Sequence, residues 1–500
     1  MAVLQIFCYV LLALLPIAYY FLRRHSNYFA VRNIPHIKPV LFYGNMRDVS
    51  NNQHLKDPFL DLYKKFKAEA PFAGFYLSMR KAVVLLDLDL IKNVLITDFH
   101  EFSHRGNYYN VKDDPLSGHL FNLDGPKWKQ MRSKLTPTFT SGKMKFMFGT
   151  VVDVGQTFVK VLKEILEKES SQNGLEMGEL LGCFTTDVIG SCAFGLDCNS
   201  LKDPETQFRL MGKKAFSKRR HGRLVVLFMQ AFPNISRRLG LCMTSKDVSD
   251  FFYKVVKETV EYREKEQVQR NDFMNLLLEL RKGDGLESLS LEEIAAQSFV
   301  FFLAGFETSA STMAFALYEL AINQQIQEQS RQEVRKVLEK YNNSLTYESL
   351  KELNYLQKVL NETMRKYSVA SILIRKALND YQVPGSKFII EKGTLVIIPV
   401  DAIHHDPDIY PNPEEFQPER FNADQVNNRH GMSWLPFGDG PRNCIGLRFG
   451  KLQTMIGLAL LLNNFYFTLN PRTPVPMIFN PKSFVLAPKG GIHLNIEKIQ

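Results

Sequence analysis

The residues best equipped for chemistry lie together in Phe437-Gly438-Asp439-Gly440-Pro441-Arg442-Asn443-Cys444-Ile445-Gly446, which runs straight into Leu447-Arg448-Phe449-Gly450-Lys451-Leu452-Gln453. Glycines crowded ahead of a helical pattern mark a loop that needs positive φ or a close backbone approach. A cysteine held there has backbone N–H groups around its sulfur and a helix N-terminus just behind it. Both stabilise a thiolate. With no second cysteine nearby, zinc and iron–sulfur sites, which need several ligands, are excluded. A single thiolate suits the axial position of a haem iron, where it pushes electron density onto the metal and favours O–O cleavage. The bland alternative is a buried structural thiol, the usual fate of a lone cysteine.

A second chemical pair stands in Ala304-Gly305-Phe306-Glu307-Thr308-Ser309. Here a carboxylate adjoins a hydroxyl at the end of an almost wholly apolar helical run, 295–306. Such a pair can carry protons into a dry pocket. Gly305 lowers helix propensity and the Thr308 hydroxyl competes for a backbone carbonyl, so a local opening of the ladder is expected. The competing reading has Thr308 bonded back to the preceding turn and Glu307 on the helix surface. Trp128 and Arg132, four apart, indicate by themselves only a cation–π contact. Glu362 and Arg365 are spaced as an ordinary i,i+3 ion pair.

These groups need elements to hold them. Ser290-Leu291-Glu292-Glu293 is a capping box. No proline follows until Pro384, so a long buried helix is expected to run to about residue 327. Residues 72–97 carry β-type runs and suggest a small sheet, while 151–268 reads as mainly helical. No Ser/Gly-rich run, repeat or low-complexity tract divides the 500 residues, which implies one large catalytic unit. An apolar content of 45% with 38 Phe supports an extensive core. The formal charge of +10 comes without a nucleic-acid motif, so an anionic membrane surface or an acidic partner protein fits better than nucleic acid. Six sparse, irregularly spaced cysteines point to a reducing compartment.

Residues 2–22 carry no charge and are long enough to span a bilayer. Arg23 and Arg24 follow, which keeps the remainder in the cytosol. A cleavable signal peptide is the alternative. Lys213, Lys214, Lys218, Arg219, Arg220 and Arg223 directly precede the apolar Leu224-Val225-Val226-Leu227-Phe228-Met229. That is either a solvated face or an element dipping into lipid headgroups.

The spacing Phe-x-x-Gly-x-Arg-x-Cys-x-Gly, met at Phe437, Gly440, Arg442, Cys444 and Gly446, resembles the haem-binding loop of the cytochrome P-450 family. The run from Ala304 to Ser309 matches that family's Ala/Gly-Gly-x-Asp/Glu-Thr-Thr/Ser. Glu362-x-x-Arg365 is similar to its Glu-x-x-Arg, with the partner arginine in Pro418-Glu419-Arg420-Phe421. The resemblance covers about residues 30–500 and is nearest to insect microsomal members that oxidise foreign compounds. It implies a mainly α, triangular body with a small β-rich subdomain, plus an N-terminal transmembrane anchor. The organisation expected is an anchor over 1–22, a basic, proline-bearing linker over 23–40 and a haem-thiolate monooxygenase domain over 41–500.

By the same resemblance, Cys444 is the axial ligand of haem b (iron protoporphyrin IX) and Phe437 shields its sulfur. Arg105, Trp128, Arg132, Arg375 and Arg442 hold the propionates, and Glu307 and Thr308 deliver protons. Glu362, Arg365 and Arg420 form a buried structural network. Phe102, Tyr108, Phe121, Phe302, Ala304, Phe306, Val369, Ile372 and Phe484 are the expected walls of a lipophilic pocket. Residues 479–494 resemble a β-hairpin whose turn closes it. The implied reaction inserts one atom of O2 into an apolar substrate, with electrons from NADPH through NADPH–cytochrome P-450 reductase and cytochrome b5 as an additional partner. Lys127, Lys129, Lys134, Arg442, Arg448 and Lys451 are expected to attract that acidic reductase. The implied location is the endoplasmic reticulum membrane with a cytosolic catalytic domain.

Hydroxylation of an endogenous hormone or fatty acid competes with oxidation of plant toxins or insecticides. A haem isomerase or dehydratase and a non-catalytic haem or lipophile carrier are the rival classes; an intact Glu307-Thr308 argues against the first. There is one departure. After Arg365-Lys366-Tyr367 the family usually has proline, and this chain has Ser368-Val369-Ala370-Ser371. The path of 368–374 is left open, while the spacing to Arg375 is preserved.

Overall fold

A computed structural model describes residues 2–168, 174–217, 220–282 and 288–499. Lys218 and Arg219 of the basic cluster lie outside the described residues, as does the side chain of Arg223.

The body is built round the helix Leu291–Ile322, whose residues are mostly buried. Its start is the expected capping box: Ser290 Oγ accepts the Glu293 N–H at 3.2 Å, and the Glu293 carboxylate accepts the Ser290 N–H at 3.0 Å. It ends at Ile322, short of the expected 327. Asn323 leaves helical geometry (φ −101°, ψ 76°) and its amide donates to the Glu319 carbonyl at 2.9 Å. The chain then restarts as Gln324–Lys340. Neither proline nor glycine marks the break, so helical periodicity ran through it. Met177–Ile189, Lys246–Lys265, Asn354–Lys366 and Leu447–Asn464 pack round this helix, and Ser141–Lys168 lies against the last of them.

A smaller sheet lies in order Phe72–Leu77, Arg80–Leu85, Leu395–Ile398, Leu373–Lys376. The first pair is an antiparallel hairpin, the second pair is parallel, and the third sets Arg375 opposite Val396. The sheet expected over 72–97 is therefore completed from far along the chain. Its C-terminal part is helical instead, because Asp87 accepts the Leu90 N–H at 2.7 Å and caps Leu88–Lys92. This sheet has its own apolar core, distinct from that of the helices. A three-stranded sheet joins Leu175–Glu176, His493–Lys498 and Phe465–Leu469.

At the N-terminus Ala2–Ser26 is one helix with Pro16 inside it. Phe29 and Ile34 are buried in the sheet's core. Gly74 leaves room for the Phe29 ring, which a Cβ would strike. Residues expected in a linker to 40 thus belong partly to the packed body. Among the described residues the helix meeting the length and hydropathy of a membrane span is Leu291–Ile322. It is 67% buried within the protein over that window. It is the core helix.

Candidate functional site

A cavity of about 340 Å³ is lined by both chemical stretches: Cys444 with its loop, and Ala304, Gly305 and Thr308 of the central helix. The loop takes its shape from Gly438 (φ +66°) and Gly440 (φ +71°), where L side chains are strained. At Gly440 a Cβ would also run into the Leu95 carbonyl. The Cys444 N–H donates to the Phe437 carbonyl at 2.8 Å, and that of Asn443 to Gly440 at 3.0 Å. The surface left on Cys444 faces the cavity. Burial pushes its thiol up from 9.0, against a weaker pull from the Gly446 N–H and the charges of Arg132 and Arg105. Burial by itself disfavours the thiolate here, and coordination to a metal cation would favour it.

Beside the sulfur the cavity edge is cationic. Arg442 stacks its guanidinium 4.4 Å from the Trp128 ring centroid and donates through Nη2 to the Leu123 carbonyl (2.6 Å) and Asp124 Oδ1 (3.0 Å). Arg105 donates to the carbonyls of Phe121 (3.0 Å) and Arg442 (3.2 Å). Arg132 donates to the Asn443 carbonyl (3.0 Å) and Oδ1 (2.7 Å). Arg375, 1% exposed, lies behind the cavity wall rather than on it and donates through Nη1 to the Ile374 carbonyl at 3.0 Å. Nε of Arg375, and Nε and Nη1 of Arg442, are buried with no hydrogen-bond partner among the described residues. Burial and then repulsion from Arg442 bring Arg375 down to about 10, while burial, opposed by Asp124, also brings Arg442 to about 10. Among the described residues Asp124 is the carboxylate paired with these desolvated guanidiniums, and their excess of positive charge suits an anionic group in the cavity. A haem, with two propionates and an iron for Cys444, fits this donor set.

On the central helix the Thr308 hydroxyl donates to the Ala304 carbonyl at 2.6 Å. Gln453 Nε2 donates to the Gly305 carbonyl at 2.8 Å. The expected opening of the ladder is absent: the helix runs unbroken through Gly305, where a Cβ would meet Ile189. This glycine serves close helix packing. Glu307 is not on the cavity wall. Burial raises its carboxyl, opposed by Arg209 and Lys213 and reinforced by Glu179. Arg209 and Lys213 both pair with Glu179, at 2.7 and 2.6 Å.

Of the expected pocket walls, Phe121, Ala304 and Val369 line the cavity. Phe102 is buried edge-on to Tyr381 (4.8 Å), and Tyr108 donates its hydroxyl to the Leu241 carbonyl at 2.7 Å. Phe302 and Phe306 stack on each other at 4.9 Å and face Phe208 and Phe216. Ile372 joins the sheet core, and Phe484 is 72% exposed at its turn. Helical geometry explains the Phe residues: Phe301, Ala304 and Thr308 share one face, and 302 and 306 look away from it. Counting back from Thr308 at i−4 and i−7 would have found that face. Asp124, Asn443 and Gln453 were not anticipated, though Asp124-Gly125-Pro126 marks the helix start that carries Trp128.

Glu362 and Arg365 are fully buried, bonded at 2.7 and 2.9 Å. Arg420 Nε stands 3.4 Å from Glu362, and the Gln417 N–H adds 3.0 Å. Arg365 also donates to the carbonyls of His404 and Pro413, each at 2.8 Å. Arg442, 2% exposed, is interior and offers no charge to a docking partner, whereas Lys127, Lys129 and Arg448 are exposed.

A helical body with small sheets, enclosing a cavity with one cysteine and a guanidinium rim, defines a haem-thiolate protein. Residues 34–495 match the family profile "Cytochrome P450". The chain is 50% identical to cytochrome P450 6a2 of Drosophila melanogaster, over 98% of this chain and 99% of that one. It is 49% identical to cytochrome P450 6A1 of Musca domestica, over 98% of each. The chain belongs to the cytochrome P450 family, the haem-thiolate monooxygenases.

Proposed function

We propose that this protein inserts one oxygen atom from O2 into lipophilic foreign compounds such as plant toxins or insecticides. Electrons come from NADPH through NADPH–cytochrome P450 reductase, with cytochrome b5 as a further donor. The observation carrying this reading is the largely apolar cavity between Cys444 and Thr308, which suits an apolar substrate. Bound haem supplies the O2 redox chemistry.

Cys444 ligates the iron and Phe437 covers the sulfur. Arg105, Arg132, Arg375 and Arg442, with the Trp128 indole, hold the carboxylates. Thr308 accepts or passes a proton at its hydroxyl oxygen, whose lone pairs remain open while it donates to Ala304. Glu307, next to it in sequence and within the electrostatic influence of Arg209, Lys213 and Glu179, is the carboxylate that would pass the proton on toward water. Residues 2–22 anchor the protein in the endoplasmic reticulum membrane, a reading supported by the exposed Tyr9, Leu14, Leu15, Tyr19, Tyr20 and Phe21. The apolar Leu224 (81% exposed) and Phe232 favour a second lipid contact beyond the basic cluster.

The test is product identification after NADPH-dependent turnover with a panel of plant toxins, insecticides, hormones and fatty acids. Oxidised foreign compounds are expected. Turnover confined to hormones or fatty acids would replace the substrate class, and no NADPH consumption with any competent reductase would overturn the monooxygenase reading.

A further inference from the structure

The helix Asn354–Lys366 stops without a proline, and the next turn is held by a buried serine. Ser368 is 1% exposed, and its Oγ lies 2.8 Å from Nδ1 of the fully buried His404. The other ring nitrogen, Nε2, accepts the Leu435 N–H at 2.8 Å. A backbone N–H only donates, so Nε2 carries the lone pair. Burial keeps the ring neutral, its pKa down to about 3, which leaves the proton on Nδ1 and makes Ser368 Oγ its acceptor. The serine's own proton points to the Arg365 carbonyl, a long 3.4 Å contact.

A chain of buried hydrogen bonds thus joins the helix end, Ser368, His404 and Leu435. Two residues past Leu435, the Phe437 carbonyl holds the Cys444 N–H. Directly after Ser368, Val369 and Ala370 line the cavity. The other ties of this turn are backbone carbonyls taken up from outside or across it: Ser371 Oγ donates to the Ser368 carbonyl at 3.0 Å, the Leu486 N–H to that of Val369 at 3.3 Å, and the Asp401 N–H to that of Ser371 at 3.0 Å.

We propose that Ser368 is a positioning residue: through His404 it sets where Val369 and Ala370 stand relative to the Cys444 loop, and so which bulky ligands the cavity admits. The inference rests on reading the cavity as the haem and substrate site. Without the hydroxyl, the His404 Nδ1–H is buried and unpaired, a costlier state than a merely absent bond. Proline would fix the backbone but leave that N–H equally unpaired.

The test uses the haem-loaded full chain carrying Ser368→Ala, titrated with imidazole and with 1-phenylimidazole and followed by the Soret shift. Imidazole needs only the space beside the metal, so its affinity stays within about twofold. Phenylimidazole must also meet the Val369–Ala370 wall, so its affinity changes by about three- to tenfold. Ser368→Thr, which keeps the hydroxyl, restores it. No change for either ligand, or an equal change for both, overturns the proposal. If Ser368→Ala does not retain haem, Ser368→Cys is read with the same ligands and the same criteria. A wild-type chain without a Soret band defeats the haem reading itself, a failure distinct from these.

Discussion

Arg132 grips Asn443 through two nitrogens, Nη2 to the side-chain oxygen at 2.7 Å and Nη1 to the backbone carbonyl at 3.0 Å. The helix Gly125–Leu135 is thereby tied to the residue immediately before Cys444. Asn443→Ala removes a charge-assisted bond worth about 1.5–3 kcal/mol. The haem-loaded variant is expected to melt earlier, with part of its reduced CO spectrum moved off the thiolate band. Calorimetry and the CO difference spectrum check this; if both match wild type, the grip does not hold the loop.

Glu362→Ala strands Arg365, fully buried, and Arg420, 8% exposed. Leaving buried charges uncompensated costs about 3–5 kcal/mol, so little haem-bound protein should accumulate. Haem per polypeptide after purification is the measurement, and a normal ratio would show that the network is peripheral.

Thr308→Ala deletes the hydroxyl that faces the cavity and donates to Ala304. Haem binding, CO binding and NADPH consumption are expected to persist while product per NADPH falls and hydrogen peroxide rises. Product and peroxide are assayed together. An unchanged product yield leaves Thr308 as a helix residue only.

Burial raises the Glu307 carboxyl above its ordinary 4.5. A raised carboxyl favours the folded state below the unfolded value, and that contribution is lost as pH rises through the folded one. Glu307→Gln lacks this loss. Its melting temperature relative to wild type is therefore expected to climb from pH 4.5 upward and then level off. A difference that stays flat with pH would mean the carboxylate is solvated in the folded protein.

Lys127, Lys129 and Arg448 are exposed on elements next to the Cys444 loop. Reversing the charge of Lys127 and Lys129 together should lower the association rate of an acidic reductase, and salt should flatten the difference from wild type. Stopped-flow reduction at several ionic strengths measures it. Rates insensitive to both salt and reversal would place docking elsewhere.

Features carried by local spacing were legible in the sequence. The glycine-rich Cys444 loop, the Ser290 capping box and the Glu362–Arg365 pair depend on residues within a few positions of one another. Local geometry decides what such residues can do. The family match followed from the same short motifs. The end of the central helix at Asn323 was not legible, because it turns on one side chain bonding back to Glu319 with no proline or glycine to announce it.

Tertiary structure decided what depends on contacts between distant segments. Whether Phe302 or Phe301 meets the cavity is a matter of which helix face the Cys444 loop approaches. Gly305 reads as a weak point in isolation, yet Ile189 packs against it and Gln453 occupies its carbonyl. The gap left by a missing proline is filled by Ser368 only because His404, from the helix Val400–His404, arrives with an N–H to donate. Sequence by itself determined the family and marked Cys444 as the thiol on offer at the site. Only the packed chain determined which side chains stand at that site, since buried polar atoms take partners from whatever segment the fold brings within about 3 Å.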